Sequence, residues 1–378
     1  MRVAGLIAGL IALAAAPALA DNYSDLDQCK FVGEISKADQ SIAACDRLIG
    51  DSTVTASSRA AAFLNRCGWR WAKKDPDRAL ADCNEAISID GSRAEAYVNR
   101  GNVFLTKGDA ERALSDFNQA IQLNPRGAWA YNARGELYKN KGDVSRAMAD
   151  FSESIRLDPS YAMAYLLRGE LYKGAGDFEH ARTDLDTSIR LDPNDARSYF
   201  LRGSVAYLVG DNTTALSDFG ASIKLDPNDQ ATYFNRGVAY YVIGGHVADA
   251  EADFRKAVEL DPKDAYAALW LDLAVRRNGG ATHLRQAEGQ LDMTAWPAPL
   301  TREFLGEANA AQALAAAHDD DPKTSTGRSC EANFYSGELA LLTKNKQEGM
   351  RLLRQAASDC PRGYIEAPAA MAELIVQR

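Results

Sequence analysis

Six cysteines are the residues of this 378-residue sequence whose type and spacing could support covalent or metal chemistry. The first two are sixteen residues apart, and so are the next two. An even number of cysteines indicates disulfides in an exported chain, whereas metal or redox chemistry is more typical of a cytosolic one. The compartment therefore decides how they are interpreted. The six are Cys29, Cys45, Cys67, Cys83, Cys330 and Cys360.

The first twenty residues predict export. Arg2 gives a short positive segment, residues 3–15 are almost uninterruptedly apolar, and Ala18-Leu19-Ala20 has the small residues that a signal peptidase requires. The apolar run is shorter than the roughly 20 residues that a membrane span needs. We therefore predict a cleavable signal peptide over residues 1–20, a periplasmic location, no membrane span, and disulfides rather than six buried thiols.

A series of arginines, each followed by an aspartate, is the second chemically suggestive pattern. The aspartate follows its arginine by sixteen residues in five cases and by seventeen in the sixth. Such a series could bind anionic ligands, but a matching aspartate for every arginine favours structural ion pairs, since pairing satisfies both charges when they are buried. We predict that each arginine pairs with an aspartate of its own or the adjoining repeat. The arginines are Arg66, Arg100, Arg134, Arg168, Arg202 and Arg236, and the aspartates are Asp82, Asp116, Asp150, Asp184, Asp218 and Asp253.

Motifs that carry catalysis are absent from the sequence. It has no G-x-S-x-G, no H-E-x-x-H, no phosphate-binding loop and no dinucleotide fingerprint. The four histidines, at 180, 246, 283 and 318, are scattered. A net charge of −9 would repel a polyanion. We therefore expect that the protein is not an enzyme and that it binds no metal, no cofactor and no nucleic acid.

The elements that position these residues repeat every 34 residues. Tyr97-x2-Arg100-Gly101-x2-Phe104, followed by an alanine, a phenylalanine and a proline at fixed distances, recurs in copies that start at 60, 94, 128, 162, 196 and 230. Apolar residues within each copy have helical spacing. A Gly-Asp pair separates two helices, and Asn-Pro or Asp-Pro ends the second. The last copy contains one extra residue near Gly244-Gly245.

This pattern closely resembles the tetratricopeptide-repeat (TPR) family. The resemblance implies an all-α solenoid, a right-handed superhelix of helix-turn-helix repeats. We expect a degenerate repeat at 22–59, six repeats over 60–264 and a C-terminal helical region at 265–378. That region should contain a TPR-like hairpin at 330–363 and a last helix that caps the stack. The six repeats are 60–93, 94–127, 128–161, 162–195, 196–229 and 230–264.

The repeat register selects one pairing of the cysteines. The first four occupy positions 8 and 24 of their copies, where the two helices of a unit come closest, and a disulfide requires Cα atoms about 4.4–6.8 Å apart. The last two lie at the open end of the C-terminal hairpin. The predicted disulfides are Cys29–Cys45, Cys67–Cys83 and Cys330–Cys360.

The C-terminal third supports a second resemblance. The segment from Tyr266 to Leu271, the Trp296-Pro297 region and the segment from Ala332 to Gly337 are similar to the family of the bacterial cell-envelope TPR lipoprotein NlpI. That family implies scaffolding of envelope proteases and peptidoglycan hydrolases. This sequence departs from it because no cysteine directly follows the apolar segment, so the family's lipid anchor has no attachment site here.

Two functions follow from these patterns. The first is an adaptor that holds a protein or peptide partner in its concave groove. The groove is polar in the middle repeats, at Glu136 and Glu170, and apolar in the last two, where an exposed patch would mark the docking site. The second is an architectural scaffold or homodimer whose groove is covered by residues 265–329. The predicted apolar groove residues are Phe200, Tyr207, Leu208, Phe234, Val238, Tyr241 and Val242.

Overall fold

The computed structural model describes residues 23–30, 35–282 and 284–377. The predicted signal peptide at 1–20 lies outside them. In this described part the chain is all-α, with 21 α-helices and no strand, which confirms the predicted fold class. The helices are α1 Tyr23–Cys29, α2 Ala38–Gly50, α3 Ala56–Ala72, α4 Pro76–Ile89, α5 Ala94–Thr106, α6 Ala110–Leu123, α7 Ala128–Asn140, α8 Val144–Leu157, α9 Ala162–Gly174, α10 Phe178–Leu191, α11 Ala196–Leu208, α12 Asn212–Leu225, α13 Gln230–Ile243, α14 Val247–Leu260, α15 Ala265–Arg277, α16 Leu284–Ala287, α17 Ala298–Phe304, α18 Ala310–Ala316, α19 Pro322–Leu342, α20 Lys346–Asp359 and α21 Glu366–Val376.

The Gly-Asp turns set the helix boundaries. Gly142 has a φ of 76°, a left-handed conformation that glycine adopts without steric cost. Asp143 then caps α8, because its side chain accepts a hydrogen bond from the backbone N–H of Arg146. Similar turns precede α6, α10 and α12. Helix starts at Ala94, Ala128, Ala162 and Ala196 are consequently 34 residues apart.

The chain divides into two compact units, residues 1–171 and 172–378. In the first unit, α3 packs on α4, α5 on α6 and α7 on α8. Phe117 and Phe151 are fully buried between the helices of their pairs. At the start of the described chain, Cys29, Cys45 and Trp69 form a separate small core, and the indole Nε1 of Trp69 donates to the carbonyl of Cys29 at 3.2 Å.

In the second unit the pairs α11–α12 and α13–α14 are followed by α15 and by the C-terminal elements. Trp270 of α15 is fully buried at the centre of this unit. Its ring lies 5.3 Å from that of Tyr241, 5.7 Å from Phe254 and 5.2 Å from Phe334. One indole therefore joins the last helix pair of the array to the C-terminal hairpin of α19 and α20.

The first helix of the C-terminal hairpin begins in a polar segment. Residues 319–327 are largely polar, and α19 begins within them at Pro322. Proline is favoured in a first helical turn, and the side chain of Asp321 caps the helix by accepting from the N–H of Thr324. This cap lets a polar segment start a helix of 21 residues.

Candidate functional site

The arginine–aspartate pairs are bidentate contacts between the two helices of a repeat. In the middle of the series, Nε of Arg134 donates to one carboxylate oxygen of Asp150 at 2.9 Å and Nη2 donates to the other at 2.8 Å. These hydrogen bonds raise the pKa of Arg134 above its ordinary value. The aspartate side chain is 8% exposed and the arginine 21%. The geometry supports a structural role, since both charges are already satisfied.

The same contact recurs along the array. In four further pairs the arginine and the aspartate are 2.6–2.8 Å apart. Arg168 and Asp184 belong to different units, so their pairing stays a prediction. The other pairs brought together are Arg66–Asp82, Arg100–Asp116, Arg202–Asp218 and Arg236–Asp253.

Each arginine except the last makes a further contact that the sequence reasoning missed. The remaining guanidinium nitrogen of Arg100 donates to Asn84 at 2.9 Å, that of Arg134 to Asn118 at 2.8 Å, and that of Arg202 to Asp186 at 2.7 Å. All three acceptors occupy position 25 of the preceding repeat. The polar residues at position 25 were the sequence pattern from which this contact could have been predicted. The arginines therefore connect neighbouring repeats as well as the two helices of one repeat.

The structure brings the six cysteines together in three disulfides. Cys29 joins Cys45 and Cys67 joins Cys83, with Cα atoms 4.8 and 5.5 Å apart. The third disulfide joins the hairpin of α19 and α20, with Cα atoms 4.9 Å apart. The described cysteines include no free thiol. All three disulfides have the predicted partners and act as covalent links between packed helices.

The prediction that the apolar patch is a docking surface is wrong, because the chain covers this patch with its own C-terminal helices. Tyr207, Val238 and Tyr241 are 3%, 1% and 3% exposed. The hydroxyl of Tyr207 donates to the carbonyl of Ile365 at 3.0 Å, and that of Tyr241 donates to Glu338 at 2.7 Å. The remaining four are half-buried against the same core: Phe200, Leu208, Phe234 and Val242.

The covering elements also differ in part from the expected ones. Residues 265–329 were the cover expected under the scaffold alternative, and Trp270 and Arg277 of this segment do contact the ring of Tyr241. The hydrogen bonds of the two tyrosines, however, go to α19 and to the residue directly before α21. Because these contacts join residues about a hundred or more positions apart in the chain, the repeat pattern contains no signal for them.

A buried set of acidic side chains accompanies this cover. Arg277 donates to Glu338 at 2.8 Å and to Glu373 at 2.9 Å. Burial raises the pKa of Glu338 to about 7, because removal from water disfavours the charged carboxylate. Burial, together with the negative charge of Glu331, raises the pKa of Glu366 to about 8. One guanidinium therefore neutralises only part of the acidic set.

The corresponding face of the first unit is polar. Here α7 presents Asn132, Glu136 and Lys139 with the spacing that places side chains on one side of a helix. Lys139 donates to Glu170 of α9 at 2.7 Å, so these two helices face each other through this surface. Asn132 is 2% exposed, and its side-chain oxygen accepts no hydrogen bond. We call Asn132, Glu136, Lys139 and Glu170, together with Glu95 of α5, the first-unit face.

Negative charge predominates on the first-unit face. It has three glutamates and one lysine, and that lysine is engaged with a glutamate. Burial and the nearby carboxylate of Glu136 raise the pKa of Tyr161, so its hydroxyl stays protonated. These features favour a ligand that donates hydrogen bonds and carries positive charge.

No arrangement for metal binding is present in residues 23–30, 35–282 and 284–377, where no three His, Cys, Asp or Glu side chains gather as ligands. Over the same residues, no helix combines the length and the apolar character needed to cross a membrane.

Family models of tetratricopeptide repeats match much of the array. A model described as TPR repeat matches residues 101–142, and models described as tetratricopeptide repeat match 130–161, 166–229 and 209–265. A search of curated proteins finds no match to the chain.

Solved structures that match this chain include the following three. Cut9–Hcn1, an APC/C hetero-tetramer, has a TM-score of 0.57 and 15% identity, over 76% of this chain and 54% of that one. PilF of Pseudomonas aeruginosa has a TM-score of 0.51 and 16% identity, over 56% and 96%. YrrB, a TPR protein with an unusual peptide-binding site, has a TM-score of 0.41 and 26% identity, over 50% and 95%. The first two likenesses show a shared fold and carry no further argument.

Proposed function

Because models of tetratricopeptide repeats match residues 101–161 and 166–265, we propose that the protein is a non-enzymatic adaptor that holds a positively charged segment of a partner protein on the first-unit face. Proteins built from these repeats are generally protein-interaction scaffolds. The observation that carries the proposal is the buried side-chain oxygen of Asn132, which has no donor within the described chain. Such an atom costs free energy unless a ligand or water donates to it.

The charge of the face indicates the chemistry of the partner. The first-unit face carries Glu95, Glu136 and Glu170, and its one lysine, Lys139, pairs with Glu170 at 2.7 Å. An extended segment could donate a backbone N–H to Asn132 while its lysine or arginine side chains approach the glutamates. Complementary charge would mainly raise the association rate and the specificity.

We further propose that the partner belongs to the bacterial cell envelope, among its proteases or peptidoglycan enzymes. The similarity of the segments around Trp270 and Phe334 to NlpI-type proteins supports this, as does the signal-like N-terminus. Three disulfides also suit an oxidising compartment. Fractionation of cells that express the full chain would test the location, and recovery in the cytosol with reduced cysteines would contradict it.

The test of the adaptor function is capture of partners by the full-length protein. An Asn132→Ala, Glu136→Lys double variant should recover specific envelope partners at least about tenfold less efficiently, since it loses an acceptor and reverses a charge. Glu85→Lys is the matched control, because Glu85 is exposed on α4 and makes the same charge change outside the face. Equal capture by the double variant and the control would contradict the proposal.

A scaffold or homodimer is the alternative function, and the covered face of the second unit favours it. Tyr207 and Tyr241 are engaged within the chain, so the last repeats offer no open apolar groove. In that case light scattering should find a dimer at micromolar concentration, and variants of the first-unit face should leave both dimerisation and partner capture unchanged.

A further inference from the structure

The last helix, α21, is oriented with its polar side inward. Glu366, Ala369, Ala370 and Glu373 are buried. A set of larger apolar side chains faces outward, although a surface helix normally buries its apolar stripe. Small and acidic residues therefore make up the buried side of α21, and among its larger aliphatic residues Leu374 packs partly against the core. The outward residues are Met371, Ile375 and Val376, which are 49%, 69% and 66% exposed.

Specific polar contacts supplement the apolar packing of α21. Arg277 donates to the carboxylate of Glu373 at 2.9 Å, and Tyr207 donates to the carbonyl of Ile365 at 3.0 Å. At the far end, Lys346 donates to the carbonyl of Gln377 at 2.8 Å. These contacts are of the kind that a groove makes with a bound peptide helix, in which one carboxylate meets one guanidinium and small residues permit close approach.

The covalent structure allows α21 to leave without its neighbours. Cys360 is joined to Cys330 of α19, so the disulfide holds the end of α20 in place. Only residues 361–365 separate this fixed point from α21. Gly363 in this linker has a φ of 97°, a conformation that glycine adopts readily. Detachment of α21 would therefore leave the α19–α20 hairpin intact.

We propose that Tyr207 and Arg277, whose guanidinium lies over the ring of Tyr241, form a helix-binding groove that α21 and the residue before it occupy within the chain, and from which a partner helix of similar chemistry displaces α21. The partner helix would carry a glutamate for Arg277 and, one turn before it, a pair of small residues such as Ala369 and Ala370. This groove is distinct from the first-unit face, so the adaptor function proposed above does not depend on it.

Competition between α21 and a partner helix can be tested with a fluorescent peptide that has the sequence of residues 366–377. Wild-type protein should bind it weakly, because α21 already fills the groove. Glu373→Gln in the full chain weakens the internal anchor and should strengthen peptide binding at least about tenfold. The control peptide contains the same Glu→Gln change and should lose this gain, because it offers no carboxylate to Arg277.

Hydrogen exchange of the wild-type chain provides a measurement that needs no variant. The amides of α21 should exchange at least about tenfold faster than those of α20, since α21 opens independently of the disulfide-linked hairpin. Ala370→Leu, which overfills the small-residue contact, should also increase peptide binding.

Three results would overturn the proposal. The first is exchange of α21 at the same rate as α20. The second is a folded Glu373→Gln protein that binds the peptide no better than wild type does. The third is dimerisation of the Glu373→Gln protein without any gain in peptide binding, which would make a second copy of the chain the occupant.

Discussion

The ring of Phe151 lies directly against the backbone of Gly135, where an added β-carbon would stand 2.8 Å from the nearest ring carbon. The same contact recurs between Gly101 and Phe117 and in two later repeats. In an earlier repeat, Cys67 and Cys83 occupy these two positions and are joined by a disulfide. At the same two repeat positions, the paired helices are therefore held together either by packing of a ring on a glycine or by a disulfide.

Gly135→Ala should destabilise the protein by about 1–3 kcal/mol, because the new methyl group overfills this contact. Gly220→Ala is the matched control, since Gly220 lies inside α12 with no atom within 4 Å of an added β-carbon. It should be neutral or stabilising by up to about 1 kcal/mol. Urea denaturation would compare them, and equal effects would show that Phe151 can move aside.

Cys67→Ala with Cys83→Ala should lower the free energy of unfolding by about 3 kcal/mol or more, since the disulfide closes a loop of about sixteen residues. Cys67→Gly with Cys83→Phe introduces the pair found in later repeats and should recover part of this loss. Thermal melts under non-reducing conditions would check both. Disulfide mapping of the wild-type protein that found free thiols at 67 and 83 would contradict the premise.

Arg134→Ala should cost about 3–5 kcal/mol, because it leaves the buried carboxylate of Asp150 without its bidentate partner. Arg146→Ala removes an exposed arginine that pairs with Asp143 three residues away, so stability should be nearly unchanged. Chemical denaturation at matched pH would measure both. A loss of similar size in the two variants would mean that water compensates for the pair.

The buried glutamates should make the protein less stable as the pH rises. Glu366 has a pKa of about 8 in the fold against an ordinary value of 4.5, so the folded state retains a proton that the unfolded chain has released. Stability therefore decreases between these two pH values and is constant, for this group, above them. At about 1.4 kcal/mol per pKa unit, the effect is a few kcal/mol.

Glu366→Gln should flatten this decrease and make the protein more stable than wild type at pH 9. Glu348→Gln provides the comparison, because the hydrogen bond from Arg351 lowers the pKa of Glu348 and its side chain is 39% exposed. Urea midpoints between pH 5 and 9 would show the slopes. An unchanged slope for Glu366→Gln would mean that this carboxyl is ionised in the folded protein.

Local features of this fold could be predicted because they depend on residues close in the chain. The turn at Gly142-Asp143 and the pair of Arg134 with Asp150 lie within one repeat of 34 residues. The disulfide pairing followed from the same register. The extra residue at Gly244-Gly245 was also visible, and the last pair is accordingly seventeen residues apart.

The covered face could not be predicted from the sequence, for two physical reasons. The contact between Tyr207 and Ile365 spans 158 residues, so no short-range pattern reports it. Hydrophobic periodicity would also direct Met371 and Ile375 of α21 inward, whereas Glu366 and Glu373 are the buried residues. A single polar anchor, Arg277, overrides the pattern here.

Gly220 occupies the place where the preceding repeat would offer an acceptor to Arg236. The junction between the fifth and sixth repeats consequently lacks the clamp that Arg202 makes with Asp186 one repeat earlier. The C-terminal elements span this junction instead, since the segment at α21 is tied to Tyr207 before it and to Arg277 after it. The last helix thus bridges the junction between the fifth and sixth repeats. A partner that removed this helix would make this end of the array bend more easily.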